Sequence, residues 1–238
     1  ANLGFISNSN GIDNEIEILS AQDLATQAVI DMKCYVNYYH KGTFKDQLVY
    51  KEQEVNVDLD LAHLKKLNAP IKLKIEKDGN QYLVTGSYYI PVDAFSSQKE
   101  PVKIEKTLAS LPASINTRVG TLSFTKNGNF KLKDGECLKA IIVTPDMAAS
   151  GYAKALTVSQ TSKTTTIAEL VLKDEDPQRS IDYLNTLIKV YNRQANEDKN
   201  EISFRTEQFI NQRLEKINNE LGNTEGQLES YKKRNNVV

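Results

Sequence analysis

The sequence has 238 residues, and its 30 Lys and Arg residues nearly balance its 31 Asp and Glu residues. A formal net charge of −1 removes the electrostatic attraction on which most nucleic-acid binding depends, so we expect no nucleic-acid partner. Hydrophobic residues make up 39% of the chain, which is enough for a folded core, and no apolar run of about 18 residues predicts a membrane span.

The composition also limits the chemistry that the chain can perform. Two Cys and two His residues leave few ways to build a disulfide scaffold or a metal site. Ala1 is not followed by a basic and then an apolar region, so no signal peptide is expected. Phosphate-loop and catalytic sequence motifs are absent as well. We therefore expect a globular chain that is not an enzyme and holds no cofactor.

The first forty residues carry a helical pattern. Apolar residues recur there at helical spacing: Ile16, Leu19, Leu24, Ala28 and Met32. Asn14 with Glu17 fits a capping box, and Ser20 with Asp23 offers a second start. The pattern predicts either one kinked helix or a short segment followed by a helix from Ser20 to about Met32.

From Lys33 to Leu172 the pattern alternates with a period of two, which predicts a β-rich domain. We expect strands in CYVNYYH, QLVYK, EVNVDLDL, CLKAIIVTP, AKALTVSQ and TTIAELVL, with a helical turn at AASGY. Asp78-Gly79 predicts one hairpin and Asn127-Gly128 a second. The segment between them, rich in proline, is expected to be a long connection.

The last third of the chain is predicted to be helical. Asp176-Pro177 is a favourable helix start, and the residues Ile181, Leu184, Ile188 and Tyr191 predict its buried stripe. After a polar stretch, a second helix is expected from about Ile202 to Arg234, roughly 50 Å long. Its apolar residues are Ile210, Leu214, Ile217, Leu221, Leu228 and Tyr231, and with the polar Thr224 between Leu221 and Leu228 these positions alternate steps of four and three. This spacing is typical of a coiled-coil seam that packs on another helix, and Gly222 and Gly226 favour a kink there.

Several residue groups could carry chemistry, and each also has an ordinary structural interpretation. Asp58, Asp60 and His63 could bind a metal, but the two aspartates also fit the polar face of an alternating strand. Asp174 and Asp176 could be paired carboxylates, although helix capping explains Asp176. Cys34 and Cys137 could be bridged, or they could be two buried free thiols, which we favour. The tyrosines Tyr35, Tyr38, Tyr39, Tyr82, Tyr88 and Tyr89 could stack on sugars, but aromatic residues in strands more often form cores.

Three stretches together resemble one family, the polysaccharide co-polymerases or chain-length determinant proteins, and more narrowly the branch fused to a bacterial tyrosine autokinase. The first is IDNEIEILSAQDLATQAVIDMKCYVNY, with Glu15, Ile16 and Leu19. The second is AKALTVSQTSKTTTIAELVLKDEDPQRSIDYLNTLIKVYN, with Asp176-Pro177 and Tyr191-Asn192. The third, FRTEQFINQRLEKINNELGNTEGQLESYKKRN, is similar to the long periplasmic helix of the family. Together they cover about half of the chain.

The resemblance implies an α+β fold, with a membrane-proximal base domain at residues 1–175 that includes a hairpin-rich insertion at about 70–135. A helical region at 176–238 would follow, projecting away from the base and ending in a truncated long helix. The chain would be the periplasmic part of an inner-membrane protein, with both membrane spans outside it. A cytoplasmic tyrosine kinase domain would belong to the parent protein only.

The family also implies partners. Its members form ring-like homo-oligomers that set the chain length of O-antigen, capsule or exopolysaccharide, together with a polymerase and an outer-membrane exporter. The polysaccharide itself is another implied partner. Two other classes stay open from the residues: a periplasmic adaptor of an efflux or secretion complex, and a β-rich carbohydrate-binding module.

Overall fold

A computed structural model describes residues 9–42, 45–92, 99–162 and 165–235. By its contacts the chain divides into two compact units, residues 1–190 and 191–238. The first is a mixed α+β unit and the second is helical, which confirms the predicted fold class at that level. The sequence placed the boundary near residue 176, and residues 176–190 instead belong to the first unit.

Eleven strands and five helices are present among the described residues. The strands are β1 Val36–His40, β2 Gln47–Val49, β3 Val55–Leu59, β4 Ile71–Asp78, β5 Gln81–Pro91, β6 Lys99–Leu108, β7 Ala113–Thr117, β8 Gly120–Lys126, β9 Cys137–Ile142, β10 Leu156–Gln160 and β11 Ala168–Leu172. The helices are α1 Ser9–Ser20, α2 Gln22–Met32, α3 Leu61–Leu64, α4 Pro145–Ala155 and α5 Pro177–Arg234.

The strands form three antiparallel sheets. The largest has six strands in the order β2-β1-β9-β4-β5-β6, the second has the order β3-β8-β7, and β10 pairs with β11. Strand β4 therefore lies inside the large sheet, between β9 and β5. Residues 70–135, which the sequence suggested as an insertion, supply strands to both of the larger sheets.

Alternating burial divides each sheet into a core face and a solvent face. In β4, Ile71, Leu73 and Ile75 are buried, whereas Lys72 and Lys74 between them are exposed. The core faces of the two larger sheets are joined by hydrogen bonds. The backbone amide of Val57 in β3 donates to the Tyr38 hydroxyl of β1 over 2.7 Å. Burial of such apolar rows from water is the main stabilising contribution to a unit of this kind.

The two N-terminal helices are separated by a single residue. Ala21 has an extended backbone and ends α1, and the Ser20 hydroxyl donates to the Ile16 carbonyl instead of capping α2. The predicted helix start at Ser20 is therefore wrong, since α2 begins at Gln22 without a side-chain cap. Helix α2 buries Leu24, Ala25, Ala28 and Val29 and packs against α4, while α1 contacts β10. Residues 1–8 lie outside the described residues.

One of the two predicted hairpins is confirmed. Strands β4 and β5 turn at Asp78-Gly79, where Gly79 has a φ of 59°. The second prediction is wrong, because β8 ends at Lys126 and pairs with β7, which precedes it, through a turn closed by Gly120 at a φ of 120°. The Asn127 amide instead donates to the Glu54 carbonyl. The predicted long connection contains β6 and β7, and its residues 93–98 lie outside the described residues.

Helix α5 runs without a break from Pro177 to Arg234, so the polar stretch near residue 197 does not separate two helices. Asp176 accepts from the Arg179 amide over 2.8 Å and opens the helix as predicted. The predicted buried stripe is wrong, however, because Ile181 and Ile188 are exposed. Tyr183, Leu187 and Val190 are buried instead, one helical position away and so rotated by about 100°.

The Glu54 carboxylate is fully buried between the two larger sheets. It accepts from the Tyr82 hydroxyl of β5 at 2.8 Å, the Leu132 amide at 2.5 Å and the Lys77 ammonium at 3.2 Å. Burial alone would raise the pKa of Glu54, but these hydrogen bonds lower it below its ordinary value. Burial and the bond to Glu54 raise the pKa of Tyr82 to about 12. The group therefore holds a charged carboxylate beside a neutral phenol.

We expect Glu54→Gln to lower the free energy of unfolding by about 3 kcal/mol, because the neutral amide cannot balance the half-buried Lys77 charge. Chemical denaturation at pH 7 measures this loss. Glu52→Gln is the matched control, since Glu52 is exposed and two residues away. An equal loss in both variants would contradict a specific role for the buried carboxylate.

The same group predicts a pH dependence. Because the folded-state pKa of Glu54 is depressed, its contribution to stability is complete above the ordinary glutamate pKa of about 4.3. The contribution is lost as the pH falls through the lower, folded-state value. Denaturation curves between pH 7 and pH 3 are expected to show a smaller acid loss in Glu54→Gln than in the parent.

Candidate functional site

The residues predicted to form a seam lie on one stretch of α5 in the second unit. Each is between 47% and 63% exposed: Ile210, Leu214, Ile217, Leu221, Leu228 and Tyr231. Ile202, Phe204 and Phe209 are exposed as well. From residue 196 onward, every residue whose burial is described is exposed. An apolar row of this length on a single helix is typical of an interaction surface, since monomeric soluble proteins rarely expose large contiguous apolar patches.

The other positions of this helix are polar and carry both charge signs. Lys216 lies 3.9 Å from Glu220 one turn later, and Arg205 pairs with Glu201 in the same way. Such pairs stabilise an isolated helix by only a few tenths of a kcal/mol each. A helix of this length is ordinarily stabilised by packing of its apolar face. The exposed seam is therefore a candidate surface for binding a partner.

A buried ion pair fixes the start of α5 in the first unit. Arg179 forms a bidentate pair with Asp174, whose side chain is only 4% exposed, and donates to the Asn37 side chain of β1 over 3.0 Å. Burial alone would lower the pKa of Arg179, but the hydrogen bonds to Asp174 raise it. Asp174, one of the two carboxylates considered as a catalytic pair, has a structural role through its pairing with Arg179.

The aromatic and thiol groups next to this pair form a packed interior. Tyr152 of α4 and Tyr183 of α5 stack with ring centroids 4.1 Å apart. Cys34 is buried beside them, and burial raises the pKa of its thiol. Cys34 and Cys137 are both free, and Cys137 is half-buried. A thiol that is buried and protonated is not poised as a nucleophile.

The residues considered for a metal site have other partners. Asp58 pairs with Lys33 and accepts from the Tyr35 hydroxyl at 2.8 Å. Asp60 caps α3, where the His63 amide and ring lower the pKa of its carboxyl. Within the described part of the chain, no group of three or more His, Cys, Asp or Glu residues could hold a metal ion.

The tyrosines considered for sugar stacking are distributed in two ways. Tyr35, Tyr38, Tyr82 and Tyr88 are buried, while Tyr39 and Tyr89 are half-buried. Four of the six therefore contribute to the core, and they do not present open ring faces to a ligand. The predicted alternative, a stacking surface on the strands, does not form from this set.

The segment that precedes β3 contains polar residues that sequence analysis missed. Gln53 is only 8% exposed, and its Oε1 atom has no hydrogen-bond partner among the residues that the structure describes. Tyr50 and Lys51 both donate to Asp182 of α5, and the pKa of that carboxyl is lowered by Lys51 and then by Tyr50. No local pattern signals Tyr50 and Lys51, because their partner Asp182 lies 132 and 131 residues away. Gln53 has a near partner, since its amide nitrogen donates to Asn56 three residues on, but no local pattern shows that Gln53 is buried.

Comparisons with known proteins leave the family open. No protein-family model matches the chain, and no match is found among curated proteins. None of the helices in the described ranges is long and apolar enough to cross a membrane.

We expect Arg179→Met to lower the free energy of unfolding by about 3 kcal/mol, because the buried Asp174 carboxylate loses its counterion. Arg205→Met is the control on the same helix, since the side chain of Arg205 is 75% exposed. That change should cost less than about 0.5 kcal/mol. Denaturation of both variants measures the difference, and equal effects would show that the Arg179 pair is not a structural anchor.

Proposed function

We propose that this chain is the periplasmic domain of an inner-membrane polysaccharide co-polymerase, which regulates the length and export of a surface polysaccharide. In this proposal the chain acts by assembly and not by catalysis. The observation that carries it is the exposed seam of α5, which has the spacing of a coiled coil. The three stretches of resemblance supply the choice of family.

The proposed occupant of the seam is another copy of this chain, packed helix to helix. Seven positions from Ile210 to Tyr231 alternate steps of four and three, which keeps one edge of the helix facing a partner over three heptads. Thr224 is the one polar residue in the row. A polar residue at such a position lowers stability but favours one register over the others.

The proposed role follows from that assembly. A ring or bundle of copies fixes the spacing of the domains at the membrane, and that geometry controls when a polymerase releases its product. The polymerase, an outer-membrane exporter and the polysaccharide are the partners in this scheme. Any kinase activity would belong to a separate cytoplasmic domain of a parent protein.

An adaptor of an efflux or secretion complex is the second candidate, because it too combines β-rich units with long helices. The same seam would then pack on a different protein. Self-association of the purified chain discriminates between the two, since an adaptor seam needs its foreign partner. A glycan-binding module is the third candidate, and it predicts ligand binding without any dependence on the seam.

We expect Leu214→Asp combined with Ile217→Asp to abolish self-association, since burying an unpaired carboxylate in a helix interface costs several kcal/mol. Sedimentation of the purified chain over a range of concentrations measures the effect. Gln212→Asp with Asn219→Asp is the matched control, because it adds the same two charges on the opposite face. In cells, only the seam variant should lose the modal polymer length.

The stability of the first unit is the internal control for this experiment. Its denaturation midpoint should stay the same in both double variants, because residues 1–190 form a separate compact unit. If the chain without substitutions remains monomeric at all concentrations, that result contradicts the proposed homo-oligomer. A seam variant that associates and sets polymer length normally contradicts it as well.

A further inference from the structure

A cavity of about 400 Å³ lies in the first unit, between the two larger sheets and the end of α2. Its polar lining comes from β1, the segment before β3, β3 itself, β8 and the start of α5. These residues include Asn37, Gln53, Asn56, Asp58, Ser123 and Thr125. Protein pockets for small ligands start at about 300 Å³, so the cavity is large enough for one small molecule.

The cavity contains one polar atom that the protein leaves unsatisfied. Gln53 is more than nine-tenths buried, and its amide nitrogen donates to the Asn56 side chain over 2.7 Å. Within the described ranges of the chain, the amide oxygen of Gln53 has no hydrogen-bond partner. A buried acceptor without a donor is destabilising, so this atom is expected to accept from a hydroxyl or N–H group that enters the cavity.

The charge pairs around the cavity disfavour an anionic ligand. Three cations line it, and each is already paired with a carboxylate: Lys33 with Asp58, Lys51 with Asp182 and Arg179 with Asp174. An added anion would have to compete with these carboxylates. The hydroxyl and amide groups of the lining instead suit a neutral molecule that both donates and accepts hydrogen bonds.

We infer that this cavity binds one neutral sugar unit, with the Gln53 amide oxygen accepting from a sugar hydroxyl. Asn56, Ser123 and Thr125 supply further hydrogen-bonding groups, while Val36 and Val57 supply an apolar wall for the C–H groups of the ring. The choice of a sugar over another polyol rests on the proposed function. The neutral, hydroxyl-rich character of the ligand rests on the cavity alone.

The experiment titrates the isotopically labelled chain with four neutral sugars: D-glucose, D-galactose, D-mannose and N-acetyl-D-glucosamine. Amide chemical shifts in NMR spectra report binding residue by residue. We expect at least one sugar to bind with a Kd on the order of millimolar and to shift the amides around Gln53 and Ser123. D-glucuronate, which replaces the hydroxymethyl group of glucose with a carboxylate, should bind more weakly than glucose.

Two variants test the assigned atoms. Gln53→Leu removes the unsatisfied acceptor and should weaken binding about tenfold. Thr125→Val is the second test, because Thr125 is exposed and its replacement does not disturb the core. Gln81→Leu is the control, since Gln81 is an exposed residue of β5 that does not line the cavity. It should bind as the parent does.

Each result decides the inference. Absence of shifts with all four sugars at about 100 mM, well above millimolar Kd values, overturns it. Tighter binding of D-glucuronate than of D-glucose contradicts the inference that the ligand is neutral. Equal binding of open-chain sorbitol and the sugars contradicts the inference that the ligand is a sugar. Unchanged affinity in both Gln53→Leu and Thr125→Val places the ligand elsewhere. Because these readouts do not involve α5 beyond residue 190, the inference and the seam proposal can fail separately.

Discussion

The relative position of the two larger sheets depends on the hydrogen bonds that the buried Glu54 carboxylate accepts. This carboxylate lies where β3 begins, and it accepts hydrogen bonds from β5, from the Leu132 amide and from Lys77 at the end of β4. Apolar burial holds the two sheet faces together but does not select their register against each other. A charge in the interior does select it, because only one arrangement supplies every donor that the carboxylate needs.

The buried Arg179 guanidinium fixes the position of helix α5 in a similar way. Arg179 pairs with Asp174 and also binds Asn37, so the first turn of α5 is held against β1. Tyr183, one turn later, then stacks on Tyr152 of α4. These two contacts determine which face of α5 is buried in the first unit. They explain why the apolar residues Ile181 and Ile188 remain exposed while Tyr183, Leu187 and Val190 turn inward.

The sequence predicts those parts of the fold that local physics determines. The hairpin at Asp78-Gly79, the helix start at Asp176 and the alternation in β3 and β4 all follow from residues close in sequence. The hairpin between β7 and β8 was missed because its turn has Gly120 alone, without the Asn-Gly or Asp-Gly pair that signals such turns. The rotation of the buried face of α5 was missed because Arg179 and Tyr183 meet partners in distant elements. The seam spacing could be read from sequence, but the cavity could not, since Gln53 and Ser123 are 70 residues apart.

The segment Tyr50–Asn56 connects the structural and the proposed functional roles of the first unit. Tyr50 and Lys51 bind Asp182 at the start of α5, and the Lys51 carbonyl accepts from the Asn127 side chain. Lys51 has a φ of 61°, a backbone conformation that a non-glycine residue adopts only when its surroundings hold it. The next residues place Gln53 at the cavity and Glu54 in the core. Because both ends of this short segment are held by hydrogen bonds, the unsatisfied Gln53 oxygen has little freedom to turn toward water. A ligand that enters the cavity therefore meets an acceptor that is already oriented, which lowers the entropic cost of binding.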